Sequence, residues 1–239
     1  MKLTIRNILS TIVFSGALLA GMTQSASAGL IAVVADVNAD GAGNFSFYDS
    51  VLGSNQNVVF SRDEAQQEGV RNHYNTLAGV TATENSATLT AGLLGGLDML
   101  VVTRSFNVIL DYTAAEISAV ADFVSGGGTV LAILEASTAS TLTGYNNFLA
   151  GIGSAVSYNG GRSCPGNDTM TAASTSLGVL GAFTVNCYNH LAGGTAVYTA
   201  ANGVTVAFGQ TTSVSEPPVL ALLGLGLLGL GFSRRKQCA

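Results

Sequence analysis

The sequence predicts an α/β domain over residues 29–214, in which an open sheet is covered by helices on both faces to give three layers. One observation is the continuous apolar run of residues 30–35, which is typical of a parallel strand buried on both faces, together with the strong strand signal of residues 98–103. Another is the succession of strand, capped helix, glycine triplet and strand over residues 98–134. This succession predicts a βαβ unit with a right-handed crossover.

The first half of the domain alternates short apolar runs with helical segments. Its predicted elements are a strand at 30–35, a helix at 45–52, a strand at 57–60 and a helix at 63–77. The last of these helices is favoured by Asp63 and Glu64, because acidic side chains in a first turn interact well with the helix dipole.

The second half contains the strongest helix signal. Thr113 and Glu116 have the spacing of a capping box, and apolar residues recur on one face up to Val124 before Gly126 ends the helix. The other predicted elements are strands at 98–103 and 129–134, a helix at 146–152 and a hairpin of residues 196–198 and 204–208. Asn202-Gly203 is a typical hairpin turn.

Composition and charge exclude two classes of protein. The 239 residues are 48% hydrophobic, which excludes an intrinsically disordered chain. The formal net charge is −5, and five of the nine basic residues lie in the two terminal segments. The body between them is acidic and contains no lysine. It therefore lacks the basic face that a nucleic-acid-binding protein requires.

Residues 1–28 have the pattern of a secretory signal peptide. Lys2 and Arg6 form a basic start, residues 8–19 are apolar, and small residues lead up to Ala28. We expect signal peptidase to cleave after Ala28, so that the mature chain begins at Gly29. An uncleaved membrane anchor is the alternative, although the apolar stretch is short for a transmembrane span.

The C-terminal segment, residues 215–239, combines a short motif, an apolar helix and a basic cluster. The motif is Ser215-Glu216-Pro217, and the apolar run covers the 14 residues 219–232. At this length the run is a marginal transmembrane helix. The cluster is formed by Arg234, Arg235 and Lys236, which would hold that end in the cytoplasm.

Together these three parts resemble the PEP-CTERM sorting signal of Gram-negative bacteria. The family's Pro-Glu-Pro motif has serine at its first position here. The resemblance implies anchoring in the inner membrane, processing by an exosortase near Glu216-Pro217, and release to the cell surface or the exterior. It also implies an export route associated with exopolysaccharide and biofilm. A plain C-terminal anchor is the alternative.

The three cysteines agree with export. Cys238 lies in the C-terminal segment, which leaves Cys164 and Cys187 as an even pair in the body. An oxidising compartment permits a bridge between them, and we predict one. Two free thiols are the alternative, whereas the absence of any C-x-x-C spacing argues against a zinc or redox site.

The body resembles the class I glutamine amidotransferase-like superfamily, whose fold is flavodoxin-like. The resemblance rests on the strand that follows Asp98, the capped helix after Thr113, the glycines 126–128 and the strand at 129–134. In that family this succession precedes the nucleophile elbow. It implies a ligand-binding or catalytic site at the carboxyl ends of the strands.

The catalytic residues of that superfamily are not matched. The strand at 129–134 continues into Glu135-Ala136-Ser137, with neither a cysteine nor the glycines of an elbow. The catalytic hypothesis is therefore a Ser137–His190 pair, with Glu135 or Asp111 nearby. The alternative is a surface histidine beside a disulfide.

A second candidate site has the start of a calcium loop. Asp36, Asn38 and Asp40 supply oxygens at alternate positions, and Gly41 stands at position six. Position twelve is Phe47 instead of a bidentate glutamate. The stretch therefore predicts either a weak calcium site or a simple turn.

Two functional hypotheses follow. The first is an exported surface or matrix-associated protein whose α/β domain is not catalytic. The second is a degenerate amidotransferase-like hydrolase that acts at the carboxyl edge of the sheet.

Overall fold

The computed structural model describes residues 29–62, 66–173, 177–178 and 180–210. The predicted signal peptide and the C-terminal segment lie outside these residues, as do Asp63 and Glu64. Within the described residues, no helix combines the length and the apolar character needed to cross a membrane. The predicted apolar helix at 219–232 is not among them.

The described chain is a mixed α/β domain, as the sequence predicts. Its strands are β1 (Leu30–Val34), β2 (Asn57–Ser61), β3 (Thr81–Asn85), β4 (Met99–Thr103), β5 (Thr129–Ile133), β6 (Ser157–Ser163), β7 (Asp168–Met170), β8 (Phe183–Val185), β9 (Tyr188–Ala192), β10 (Thr195–Ala200) and β11 (Gly203–Gln210). Its α-helices are α1 (Phe45–Leu52), α2 (Glu68–Tyr74), α3 (Ala91–Leu94), α4 (Ala114–Ser125) and α5 (Ala139–Gly151).

One large sheet organises the domain, with the order β3-β2-β4-β5-β1-β11-β9-β6. The strands from β3 to β1 are parallel to one another, whereas β11, β9 and β6 are added by antiparallel pairing. Strand β10 also pairs with β11, and β7 and β8 form a separate two-stranded sheet. The chain thus builds a parallel half followed by an antiparallel half.

The position of β1 differs from a simple flavodoxin-like order. In that order the first strand lies between the second and third strands. Here β1 lies between β5 and β11 and pairs with both of them. The difference arises because β11 returns along β1 and completes its second edge, so that β1 joins the parallel half to the antiparallel half.

Alternating side chains of the central strands supply two cores. On β4, Leu100 and Val102 join the core formed with α3, α4 and α5. Met99 and Val101 of the same strand join the opposite core, formed with α1, α2 and strands β7, β8 and β10. Because side chains alternate along a strand, each face of the sheet is covered by its own set of elements.

Helix α4 begins as the sequence predicts. The Thr113 hydroxyl accepts a hydrogen bond from the Glu116 amide, and the Glu116 carboxylate accepts one from the Thr113 amide at 2.9 Å. The helix ends before Gly126. This capping box fixes the helix between β4 and β5 and leaves its C-terminal turn beside the start of β5.

Candidate functional site

The carboxyl ends of the parallel strands meet at one edge of the sheet, here called the carboxyl edge. Asp36 follows β1, Arg62 follows β2, Arg104 follows β4 and Glu135 follows β5. Open α/β sheets bind ligands at this edge. It is therefore the candidate functional site.

An ion-pair network occupies the β2–β4 part of this edge. Arg62 contacts Asp111 at 2.5 Å and Glu116 at 2.8 Å, and Arg104 contacts Asp111 at 3.2 Å. Burial raises the pKa of Glu116, but the backbone amides of Thr113 and Leu89 and the charge of Arg62 outweigh it, so the pKa lies below its usual value. The backbone of Arg62 has a left-handed conformation, with φ of +55°.

Asp36 follows β1, where the parallel half of the sheet meets the antiparallel half, and is fully buried. Its Oδ1 accepts a hydrogen bond from the Asn38 amide at 2.8 Å, and its Oδ2 accepts one from the Asn186 amide at 2.7 Å. Burial raises the pKa of Asp36 above its usual value despite these bonds and the charge of Arg162. The carboxylate thus ties the end of β1 to the segment that enters β9.

Glu135 is the second buried carboxylate, with 1% of its side chain exposed. Its Oε1 accepts hydrogen bonds from Arg162 Nε at 3.0 Å and Nη2 at 2.6 Å. Within the described part of the chain, Oε2 is buried without a hydrogen-bond partner. Burial raises the pKa of Glu135 above its usual value, and the negative charge of Asp36 adds to this effect.

The antiparallel half of the sheet closes the β1–β5 part of this edge. The buried amide of Asn189 accepts a hydrogen bond from the Ala136 amide at 2.9 Å and donates one to the Ala136 carbonyl at 2.8 Å. The Asn189 backbone amide donates to the Ala35 carbonyl. Side chain and backbone of one residue therefore satisfy backbone groups at the ends of both β1 and β5.

A disulfide joins Cys164 and Cys187 beside this closure. Ser163 and Tyr188 are opposite each other in the β6–β9 ladder, so the disulfide links the next pair along. The bond therefore links β6, the edge strand that carries Arg162, to β9, the strand that carries Asn189.

The predicted nucleophile and base have other partners. The Ser137 hydroxyl accepts a hydrogen bond from the Asn107 amide at 2.8 Å. His190 Nε2 lies 2.8 Å from the Ser163 hydroxyl. Among the hydrogen bonds of the described residues, none joins Ser137 to His190. Glu135 is bound to Arg162, and Asp111 belongs to the network of Arg62.

The predicted calcium loop starts at the same edge. The described residues contain no group of three histidine, cysteine, aspartate or glutamate side chains placed to hold a metal. Both oxygens of Asp36 accept backbone hydrogen bonds, as an aspartate in a turn does. Calcium binding through Asp36, Asn38 and Asp40 stays a prediction.

We expect the substitution Asp36→Asn to lower the free energy of unfolding by about 1–3 kcal/mol, because the buried side chain would offer one acceptor oxygen in place of the two that now accept the Asn38 and Asn186 amides. Denaturation in urea measures the loss. The control is Asp40→Asn, whose side chain is partly exposed. An equal effect of the two substitutions would contradict the role assigned to Asp36.

Two residues of the closure were not found from the sequence. Arg162 and Asn189 lie on β6 and β9, which have no continuous apolar run, and neither belongs to a spacing motif. The only sequence signal was the scarcity of cations, since Arg162 is one of four basic residues between Gly29 and Glu216.

Comparison with known protein families gives one match, the PEP-CTERM protein-sorting motif, at residues 213–236. No curated protein and no solved structure matches the chain. The motif indicates an exported protein that is sorted by an exosortase to the cell surface or the exterior. It follows the last described strand, β11, which ends at Gln210.

Proposed function

We propose that this chain is a surface or extracellular-matrix-associated protein with a non-catalytic α/β domain, released from the inner membrane of a Gram-negative bacterium after processing at both ends. The observation that carries the proposal is the sorting motif at residues 213–236. The mature protein then extends from Gly29 to about Glu216. An association with exopolysaccharide belongs to the proposal and rests on the resemblance of the tail.

The contacts that close the β1–β5 part of the carboxyl edge support the non-catalytic part of the proposal. Asn189 satisfies the ends of two central strands, and Arg162 covers Glu135. Ser137 and His190 bond to other residues, so we do not propose the hydrolase alternative. The disulfide supports export, because such bonds persist in oxidising compartments.

We also propose that the parallel half is a flavodoxin-like layer in cyclically permuted order. Counting from β2, the strands β2, β3, β4, β5 and β1 occupy the spatial order 2-1-3-4-5. Helices α1 and α2 contribute to one core and helices α3, α4 and α5 to the other, which supports the three layers.

Counting primary amines tests the two processing events in one measurement. The full chain has three, namely the α-amino group of Met1 and the side chains of Lys2 and Lys236. Removal of residues 1–28 leaves two, and further removal of the tail leaves one. We expect protein recovered from the cell surface or medium to acquire a single acetyl group when denatured and treated with an amine-specific acetylating reagent.

The intact mass of the same sample should correspond to a start at Gly29 and an end near Glu216. As a control, membrane-associated protein from cells that lack an exosortase should retain Lys236. Exported protein that acquires two acetyl groups, one of them on Lys236, would contradict removal of the tail and favour the plain C-terminal anchor.

A further inference from the structure

The backbone of Gly29 lies against the end of helix α4. A Cβ placed on Gly29 would be 2.2 Å from the carbonyl oxygen of Val124 and 2.5 Å from that of Gly128. Both atoms belong to the backbone, so neither can move aside as a flexible side chain could. Only glycine fits at this position, which is also the first residue of the mature chain in the proposed function.

The surroundings of Gly29 are electronegative. Val124 is in the last turn of α4, where the carbonyl groups carry the negative end of the helix dipole. An open cavity of about 470 Å³ at the amino ends of the strands shares Gly128 with this site and is lined by Asp98 and Asp122. The cavity lining includes no arginine or lysine. A positive charge placed at Gly29 would therefore be stabilised.

We propose that Val124, Gly128 and the C-terminal end of α4 form a binding site for the α-ammonium group of Gly29. The inference rests on the proposed function, in which signal peptidase adds water across the Ala28–Gly29 bond. Hydrolysis leaves a carboxylate on Ala28 and an ammonium on Gly29. A neutral amide is thereby replaced by a cation beside carbonyl oxygens, and the mature domain gains an interaction that the precursor lacks.

Carbonyl oxygens accept hydrogen bonds from N–H donors and favour the protonated amine. Only the neutral amine has the lone pair that attacks an acylating reagent, so the bound, protonated group should react slowly. We expect acetylation of Gly29 in the folded, exported protein to be about tenfold slower than in the same protein unfolded in urea. Because a fully processed chain contains no lysine, the α-amino group is then the sole primary amine and the rate is read directly from the mass.

Acetylation itself provides a second measurement. Once forced to completion, it removes the charge and adds bulk beside Val124, so we expect the melting temperature to fall by about 2–4 °C. The difference between native and acetylated protein should narrow as the pH rises and the native amine loses its proton, until only the effect of the added bulk is left. The sign follows because a cation stabilised in the folded state contributes only while it is protonated.

The matched variants are Gly29→Ala and Gly43→Ala. A Cβ at Gly29 collides with Val124, whereas a Cβ at Gly43 meets nothing within 4 Å. We expect Gly29→Ala to acetylate at nearly the unfolded rate and Gly43→Ala to behave as wild type.

The outcomes separate the two proposals. A mature chain that starts elsewhere than Gly29 overturns both the cleavage site and the binding site. A chain that starts at Gly29 but reacts equally fast when folded and unfolded overturns the binding site alone. If Gly29→Ala fails to fold, the acetylation rates of wild type and the effect of acetylation on its melting temperature still test the proposed binding site.

Discussion

Substituting Arg162 by methionine should lower the free energy of unfolding by about 3–5 kcal/mol, the usual cost of leaving a buried charge without its partner. Glu135 is 1% exposed, and its Oε1 accepts both hydrogen bonds that Arg162 offers. Methionine preserves much of the apolar stem of arginine, so the loss reports the missing charge and hydrogen bonds. Urea denaturation at neutral pH measures it.

The stability of Arg162→Met should depend on pH with a defined sign. Burial and Asp36 already raise the pKa of Glu135, and removal of the guanidinium raises it further. The folded variant then binds a proton that the unfolded chain has released. Its deficit relative to wild type should grow as the pH rises from the pKa of Glu135 in folded wild type to the higher pKa of Glu135 in the folded variant. At lower pH the free energies of unfolding of wild type and the variant should become more similar.

Two variants control for the substitution itself. Arg71→Met breaks a pair with Glu84, whose side chain is 36% exposed, and should cost less than about 1 kcal/mol. The double variant Arg162→Met/Glu135→Met removes both charges and should recover most of the stability. If the double variant were as unstable as the single one, the buried charge would not be the cause.

The sequence predicted the elements that are buried on both faces or capped by their own residues. Helix α1 has the predicted bounds, and α4 begins with the predicted capping box. Strands β1, β4 and β5 were visible because residues on both faces of a central strand are apolar.

The missed strands lie mainly at the edges of the sheet. β3 has the sequence TATEN and β6 the sequence SYNGGRS, and most residues of both are not buried. A strand exposed along one edge needs no apolar run, so periodicity cannot distinguish it from a loop. Without β6 and β9, the antiparallel half was predicted only as its final hairpin.

The sequence predicted the position of Asp36 and Glu135 in the fold, but it did not predict which residues they contact. Asp36 and Glu135 were expected at the carboxyl edge because they follow central strands. Their contacts could not be derived, since Asn186 is 150 residues from Asp36 and Arg162 is 27 residues from Glu135. Such pairs depend on the sheet order, which itself depends on the strands that the sequence did not predict.

Loss of the disulfide is expected to destabilise the exported protein by about 3 kcal/mol, since the bond closes a loop of 23 residues. The variant is Cys164→Ser/Cys187→Ser, which changes neither charge nor size greatly. Thermal and urea unfolding of oxidised wild type, reduced wild type and the variant give the comparison. The free energy of unfolding of oxidised wild type should exceed that of reduced wild type and that of the variant by a similar amount.

The disulfide should also be coupled to the Arg162–Glu135 pair. It fastens the end of β6, two residues beyond Arg162, to the start of β9. When the disulfide is lost, β6 can move away from β9 and Glu135 can become hydrated. The substitution Arg162→Met should therefore lower the free energy of unfolding by less in the cysteine-free background. A double-mutant cycle should give a coupling energy of about 0.5–3 kcal/mol. Strict additivity would mean that β9 alone positions Arg162, and that the disulfide acts only by restricting the unfolded chain.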